Sequence, residues 1–392
     1  MIKNFKDFEN FVRNNKDIKR CIIRGDLNLP SDIEDLSRVY AIKDTVLSVL
    51  DLGLDVVLIS HYKRPKSEDI SNPKFSLKNI VDEVSKVLER EVYFEKSSIF
   101  DIEPSSIKSN LTLFENLRFY AGETKNDDEL AKRLAKFGDV YINDAFSVSH
   151  RAHASVDAIT KYLPSFAGKS LEKEINGISS VTQNIIRPFT AIIGGSKVSS
   201  KIDVLKQISQ TADYLIITGA MANTFLAAKG HDMKNSLLER DQFETALDIL
   251  KNSKSEIILP VDFLASVDIN ENGENYLISD IPDNYSCFDI GEESISRIIE
   301  ILNKTKTLLW NGATGAFEFA NFDNSSKKLT TTIAELTKLG YLTSVIGGGE
   351  TIASIGKYKQ DMTFVSTAGG AFLEFIAGYK LPGLVALEKN EE

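Results

Sequence analysis

The side chains of this chain that could do chemistry are mostly cationic, and they gather just beyond short apolar runs. "CIIR" leads into "GDLNLP", with Asp26, Leu27 and Asn28, and "DVVLIS" leads into "HYKRP", with His61, Tyr62, Lys63 and Arg64. "LTLF" leads into "ENLRF", with Arg118, and "DVYIN" into "DAFSVSHRAHAS", with His150, Arg151 and His153. Guanidinium groups offer paired donors that match carboxylate and phosphate oxygens, so four such clusters on one sheet edge describe a seat for a small anion. Singly, each has a plainer reading. A turn of Asp, Asn and Pro is usually just a turn, and a lone arginine usually belongs to the solvated surface.

The second half repeats this placement with glycine. Its strand ends read "IIGGSKVSSK", "IITGAMANTF", "LLWNGATGAFE", "VIGGGETIAS" and "VSTAGGAF". A glycine-rich loop entering a helix presents unpaired N–H donors and the positive end of the helix dipole to phosphate oxygens. In the first of these loops Lys197 and Lys201 stand four apart, the spacing that puts two charges on one helical face. Neither standard phosphate fingerprint is met: "AGKS" at Ala167–Ser170 has Leu163 where the first glycine of a Walker-type loop belongs, and "GGGET" has Ile352 where a dinucleotide fingerprint needs its third glycine.

These residues need a frame. Apolar β-rich runs alternate with stretches of helical spacing such as "AIKDTVLSVLDLG" and "KNIVDEVSKVLER", the pattern of parallel α/β architecture. The strands expected are "CIIR", "DVVLIS", "LTLF", "DVYIN", "TAII", "YLIIT", "EIIL", "TLLW", "TSVI" and "TFVS". At 392 residues the chain exceeds the usual size of one hydrophobic core. Nine of the twelve arginines precede residue 170, while eighteen of the twenty-three glycines follow Gly168. The halves therefore differ in chemistry, and a boundary is expected near "YLPSFAGKSLEKEINGI". The net charge of −10 and pI near 5.2 argue against nucleic-acid or anionic-membrane partners. Cys21 and Cys287 lack CxxC spacing and no run approaches a membrane span, so a cytoplasmic protein is expected.

In order along the chain, "RGDLNLP", "SHYKRP", "FENLRF", "NDAF" with "HRAHAS", "GGSKVSSK", "WNGATGAFE", "IGGGET" and "STAGGA" resemble the phosphoglycerate kinase family, over essentially the whole length. The resemblance implies two Rossmann-like α/β/α domains with mainly parallel sheets, joined by a hinge across a cleft: 1–168 for 3-phosphoglycerate, 169–372 for ATP or ADP with Mg²⁺, and a tail, 373–392, returning to the first domain. It implies a monomer that moves a phosphoryl group between ATP and the 3-phosphoglycerate carboxylate after the cleft closes. By the same resemblance Asp26 and Asn28, with Leu27 between them, meet substrate hydroxyl and carboxyl groups. Arg38, His61, Arg64, Arg118 and Arg151, with Tyr62 and Lys63 in the same loop, bind its charged ends. Gly195, Lys197, Lys201, Asn311, Gly348, Gly349, Glu350 and Thr351 lie at the nucleotide phosphates, Glu318 at the ribose, and Glu350 also at the metal. Arg38, Lys197 and Lys201 are the expected catalytic cations. The chain departs from the family pattern at Glu350, where Asp is usual, at Ala368, where glycine is common, and at Ala313, Thr314 and Ala316, which are expected to loosen or polarise the adenine pocket. A shortened surface hairpin is expected before Arg38. The rival readings are a nucleotide-dependent enzyme of another fold and a binding protein that keeps the fold without the activity.

Overall fold

The computed structural model describes residues 2–29, 35–65 and 72–388. The expected hairpin before Arg38 falls on residues 30–34 and lies outside the described residues. The chain divides into two compact units, Met1–Ile175 with Lys380–Glu392, and Asn176–Tyr379. The division falls inside the helix Lys169–Thr182, which begins where the sequence places the boundary.

In the first unit six parallel strands, β1 (Arg20–Gly25), β2 (Asp55–Ile59), β3 (Tyr93–Glu95), β4 (Leu111–Phe114), β5 (Val140–Asp144) and β6 (Ser165–Ala167), pair in the order β3-β4-β2-β1-β5-β6. The central strands are buried along nearly their whole length, as expected of a parallel sheet covered on both faces. One cover is the helix Ser37–Asp51, whose Val39, Ile42, Val46 and Val49 recur at helical spacing and are buried. The stretch expected as one helix from Lys78 opens as a 3₁₀ turn, Leu77–Ile80. It continues as the helix Val81–Leu88 and ends at Glu89 in the left-handed conformation.

The second unit repeats the plan. Strands β7 (Phe189–Ile193), β8 (Tyr214–Ile217), β9 (Glu256–Ile258), β13 (Thr307–Asn311), β14 (Thr343–Gly347) and β15 (Phe364–Ser366) form a parallel sheet ordered β15-β14-β13-β7-β8-β9. A small antiparallel sheet, β10 (Asp262–Ser266), β11 (Glu274–Leu277) and β12 (Ser286–Ile290), is ordered β11-β10-β12. The helix Gly370–Ile376 stays with this unit. From Lys380 the chain belongs to the first, where Gly383 N–H donates to Ser149 O and Lys3 N–H to Leu387 O.

In both large sheets the chain leaves in opposite directions from two neighbouring central strands, β1 and β5 in one and β7 and β13 in the other. Crevices beyond the carboxyl ends of such strands are where open α/β sheets bind ligands.

Candidate active site

At the crevice of the first unit, Arg38 is the second residue of its helix and reaches back to the turn after β1. Its Nη1 donates to Asp26 Oδ1 at 2.9 Å and to Oδ2 at 2.7 Å. Ser147, just past β5, also donates to Asp26, so one carboxylate joins the two sides of the crevice. From β2, Lys63 takes the left-handed conformation at φ 56°, uncommon for a long side chain. It is held there at both ends: its N–H donates to Asn28 Oδ1 at 2.6 Å, and its carbonyl accepts from Arg118 Nη1 at 2.7 Å. Strain of about 1 kcal/mol is kept in this way where the surroundings over-determine a backbone, a frequent property of functional loops.

Beneath these groups lies a buried polar layer. Arg24 has no exposed surface, and its guanidinium donates to Ser155 Oγ at 3.1 Å and to Gly25 O while Nη2 meets His61 Nδ1 at 3.1 Å. Ser155 passes the contact to buried Glu123, donating from Oγ at 2.6 Å and from N–H at 3.0 Å. Burial, then the charges of Arg24, Arg118 and Arg38, push the His61 pKa well below its ordinary value. Burial followed by Arg24, Arg118 and Arg151 pushes His153 down to about 4. Both rings are neutral at pH 7. Arg118 is lowered to about 10 by burial and by Arg151, Arg24 and Arg64, and so remains charged. These mutual effects place Arg24, Arg38, Arg64, Arg118 and Arg151 in one cationic field, which a polyanion would relieve.

The crevice of the second unit is lined by backbone. A cavity of about 350 Å³ opens beside Gly195, Asn311, Gly348, Gly349, Glu350 and Thr351, with Lys201 in its wall. The Lys201 ammonium donates to Gly194 O at 2.8 Å and to Asn311 O at 3.2 Å, bridging the ends of β7 and β13. Burial lowers its pKa to about 8 against the raising pull of Glu350. Asn311 donates from Nδ2 to Gly347 O at 2.7 Å, and Thr351 Oγ1 accepts Gly312 N–H at 2.6 Å, so β13 and β14 hold the rim together. Gly312 has φ +98°, and a Cβ there would lie 2.1 Å from Gly194 O and 2.5 Å from the Lys201 amine. Only glycine lets the two turns approach so closely.

Most of the residues singled out in the sequence collect at these two crevices, with four differences. Lys197 and Lys201 do not share a helical face: the helix Ile202–Thr211 starts after Lys201, and residues 196–200 form a turn pinned by Ser199 donating to Glu239. Lys197 is exposed and Lys201 is drawn inward. The side chains of Leu27 and Tyr62 are core residues, and their N–H groups are taken by Ser60 Oγ and Asn116 Oδ1. Glu318 is exposed in a turn and is not among the cavity's lining residues. Thr314 does not loosen its loop, because its hydroxyl is fully buried against Ser325 and Ser326. Arg24, Asn116, Glu123 and Ser147 also belong to the site, though no motif in the sequence marks them. Asn116 is fully buried and its carboxamide bonds Tyr62 N and O, Phe75 O and Arg118 N, setting both cationic loops. The sole hint was position, since Arg24 and Asn116 stand directly at or after strand ends.

One open parallel sheet ending in cations, and another ending in glycine turns around a half-buried ammonium, describe an enzyme that handles a small acid and a nucleotide. Residues 13–379 match the family described as phosphoglycerate kinase. A phosphoglycerate kinase of Methylorubrum extorquens strain PA1 is 41% identical over 383 residues, covering 94% of this chain and 95% of the relative. One of Mesorhizobium japonicum is 40% identical over 385 residues, covering 95% and 96%. Among solved structures, phosphoglycerate kinase from Coxiella burnetii aligns with a TM-score of 0.86 at 32% identity over 94% of this chain and 96% of that one. The enzyme from Pyrococcus horikoshii OT3 aligns with a TM-score of 0.82 at 29% identity over 98% of each. The chain belongs to the phosphoglycerate kinase family, whose members are phosphotransferases of glycolysis.

Proposed function

We propose that this chain transfers a phosphoryl group reversibly between ATP and the carboxylate of 3-phosphoglycerate, giving 1,3-bisphosphoglycerate and ADP. The observation that carries the reading is the pairing of a guanidinium field at one switch point with a glycine-walled, lysine-bearing cavity at the other. Phosphoryl transfer needs alignment and charge stabilisation more than covalent help from the protein. The acceptor carboxylate is already ionised at neutral pH, so no base is required of the neutral His61 or His153. Arg38, Arg64, Arg118 and Arg151 bind the charged ends of the acid, while Asp26 and Asn28 accept from and orient its hydroxyl. The N–H groups of Gly348 and Gly349, with Asn311, Thr351 and Lys201, seat the nucleotide phosphates, and Gly195, whose N–H is held by Ala313 O, gives them room along the wall. Exposed Lys197 follows the moving group, and Glu318, exposed in the turn after β13, takes the ribose.

Magnesium is part of this reading. Among the described residues no cluster of three or more metal-ligating side chains occurs, but Mg²⁺ carried by a nucleotide needs only one or two carboxylates, the remaining oxygens being phosphate and water. Glu350 is exposed beside the cavity and fits that requirement. The metal would supply charge neutralisation at the phosphates.

The two ligands sit on separate units, so in-line transfer calls for closure of the chain around both. X-ray scattering profiles that were the same with and without both ligands would contradict closure. The reading also includes a monomer in the cytoplasm, with no nucleic-acid or membrane partner; no described helix is long and apolar enough to cross a membrane. A coupled assay of ADP formation tests the activity itself. Turnover should depend on 3-phosphoglycerate and fall sharply in Lys197→Ala, whereas ATP consumption indifferent to the acid would remove the proposal.

A further inference from the structure

The turn after β13 supports the Gly195 turn, which lines the cavity, and the Gly219 turn packed against it. Gly195 N–H donates to Ala313 O at 3.0 Å, and Gly219 N–H donates to Thr314 O at 3.0 Å. The height of both glycine turns therefore follows the backbone at 313 and 314. The methyl group of Ala313 can hold nothing by hydrogen bonding. Thr314 can, and its side chain is fully buried.

The Thr314 hydroxyl lies 2.6 Å from Ser325 Oγ and 2.9 Å from Ser326 Oγ, both in the first turn of the helix Asn324–Lys338. Ser325 is anchored in turn. Its N–H donates to Asp289 Oδ2 at 3.0 Å and its hydroxyl donates to Asp289 Oδ1, at the end of β12, where the same carboxylate accepts Ile290 N–H at 2.9 Å. With the Ser325 proton directed at Asp289, the Ser325 oxygen is left to accept from Thr314, so each hydroxyl has one consistent role. Gly315 leaves room for the carboxylate: a Cβ there would stand 2.2 Å from Asp289 Oδ1. A buried polar chain with every member satisfied is stiff, because in a low dielectric a broken link is costly.

We infer that Thr314, Ser325 and Asp289 form a buried latch that sets the Gly195 turn of the nucleotide seat and the Gly219 turn behind it, making Thr314 a positioning residue for nucleotide binding. The inference rests on reading that cavity as the nucleotide site. It extends that reading to side chains whose polar groups are spent on one another rather than on the ligand.

Thr314→Val keeps the shape and removes the hydroxyl, and Thr314→Ser restores it. The latch predicts that amide hydrogen exchange at Gly195 and Gly219 accelerates in Thr314→Val by about three- to ten-fold, the equivalent of one internal hydrogen bond, and returns in Thr314→Ser. The ADP dissociation constant and nucleotide KM should rise by a similar factor, with the 3-phosphoglycerate KM unchanged. A Thr314→Val chain with a lower melting temperature but unaltered glycine exchange and nucleotide KM would show a merely structural role and overturn the inference. Ser325→Ala puts the same question should Thr314→Val not fold. The exchange measurement needs no ligand, so it judges the latch by itself. Failure of the unaltered chain to bind ADP would count against the nucleotide reading instead.

Discussion

Arg38 and Asp26 form an ion pair with Nη1 2.7 Å from Oδ2, tying the first turn of a helix to the turn that ends β1. Both side chains retain some exposure, 30% for Arg38 and 12% for Asp26. A pair of this kind adds on the order of 1 kcal/mol or less to stability, so its value lies in aiming the guanidinium. Arg38→Ala should keep the melting temperature nearly unchanged and lower kcat/KM by about 10²- to 10³-fold, the usual effect of removing one preorganised charge from a transition state. Steady-state kinetics beside a thermal melt check this. A large drop in melting temperature with kcat/KM intact would mean that the pair is structural.

Lys201 sets a pH dependence whose two parts have opposite signs. Burial brings its pKa from 10.5 to about 8, so between those values the unfolded chain holds the proton that the folded chain has released. Stability therefore rises with pH across that window as the cost of the buried charge is relieved. Nucleotide binding moves the other way, because the free protein loses a phosphate-facing cation above about 8. The nucleotide KM should climb between pH 7 and 9.5, and Lys201→Met should show a raised KM without that slope. A KM profile that is equally steep in both proteins would contradict the assignment.

Glu123 is the buried counter-charge of the first unit, reaching Arg24 through the Ser155 hydroxyl. Its neighbour His153, 3.7 Å away, is neutral at pH 7, so it does not compete with Arg24 for the Glu123 charge. Glu123→Ala leaves Arg24 buried beside an unmatched Ser155 N–H, a loss of about 3–5 kcal/mol. The single tryptophan, Trp310, lies in the second unit. In urea, the loss should appear in the far-ultraviolet dichroism transition and spare the Trp310 fluorescence midpoint. Coincident shifts of both signals would show that the defect is not confined to the first unit.

The legibility of the chain follows its physics. All ten strands read from the sequence are present; the central ones are covered on both faces and so must be continuous apolar runs, while β9 and β15 at the sheet edges keep the apolar pairs Ile257–Ile258 and Phe364–Val365. Strand β6 has one large apolar residue, Phe166, between Ser165 and Ala167, β3 starts at exposed Tyr93 and ends at Glu95, and β11 is mostly exposed and polar, so none of the three makes an apolar run. The cationic clusters were legible for the same reason as the strands that carry them, since a polar group directly after a buried run must lie at the sheet edge. Glu123, by contrast, is placed by a hydrogen bond to Ser155, 32 positions away, and Arg24 by one 131 positions away. No local pattern announces such a pair. The spacing of Lys197 and Lys201 misled because four residues make a helical face only inside a helix, and the Ser199–Glu239 bonds hold that stretch as a turn.

Separate equilibrium titrations of 3-phosphoglycerate and of ADP against the unaltered chain, Arg38→Ala and Lys201→Ala test the division of labour between the two units most directly. The account predicts that Arg38→Ala weakens the acid and leaves ADP alone, while Lys201→Ala weakens ADP and leaves the acid alone. Acid affinity lost in Lys201→Ala, or ADP affinity lost in Arg38→Ala, would contradict it.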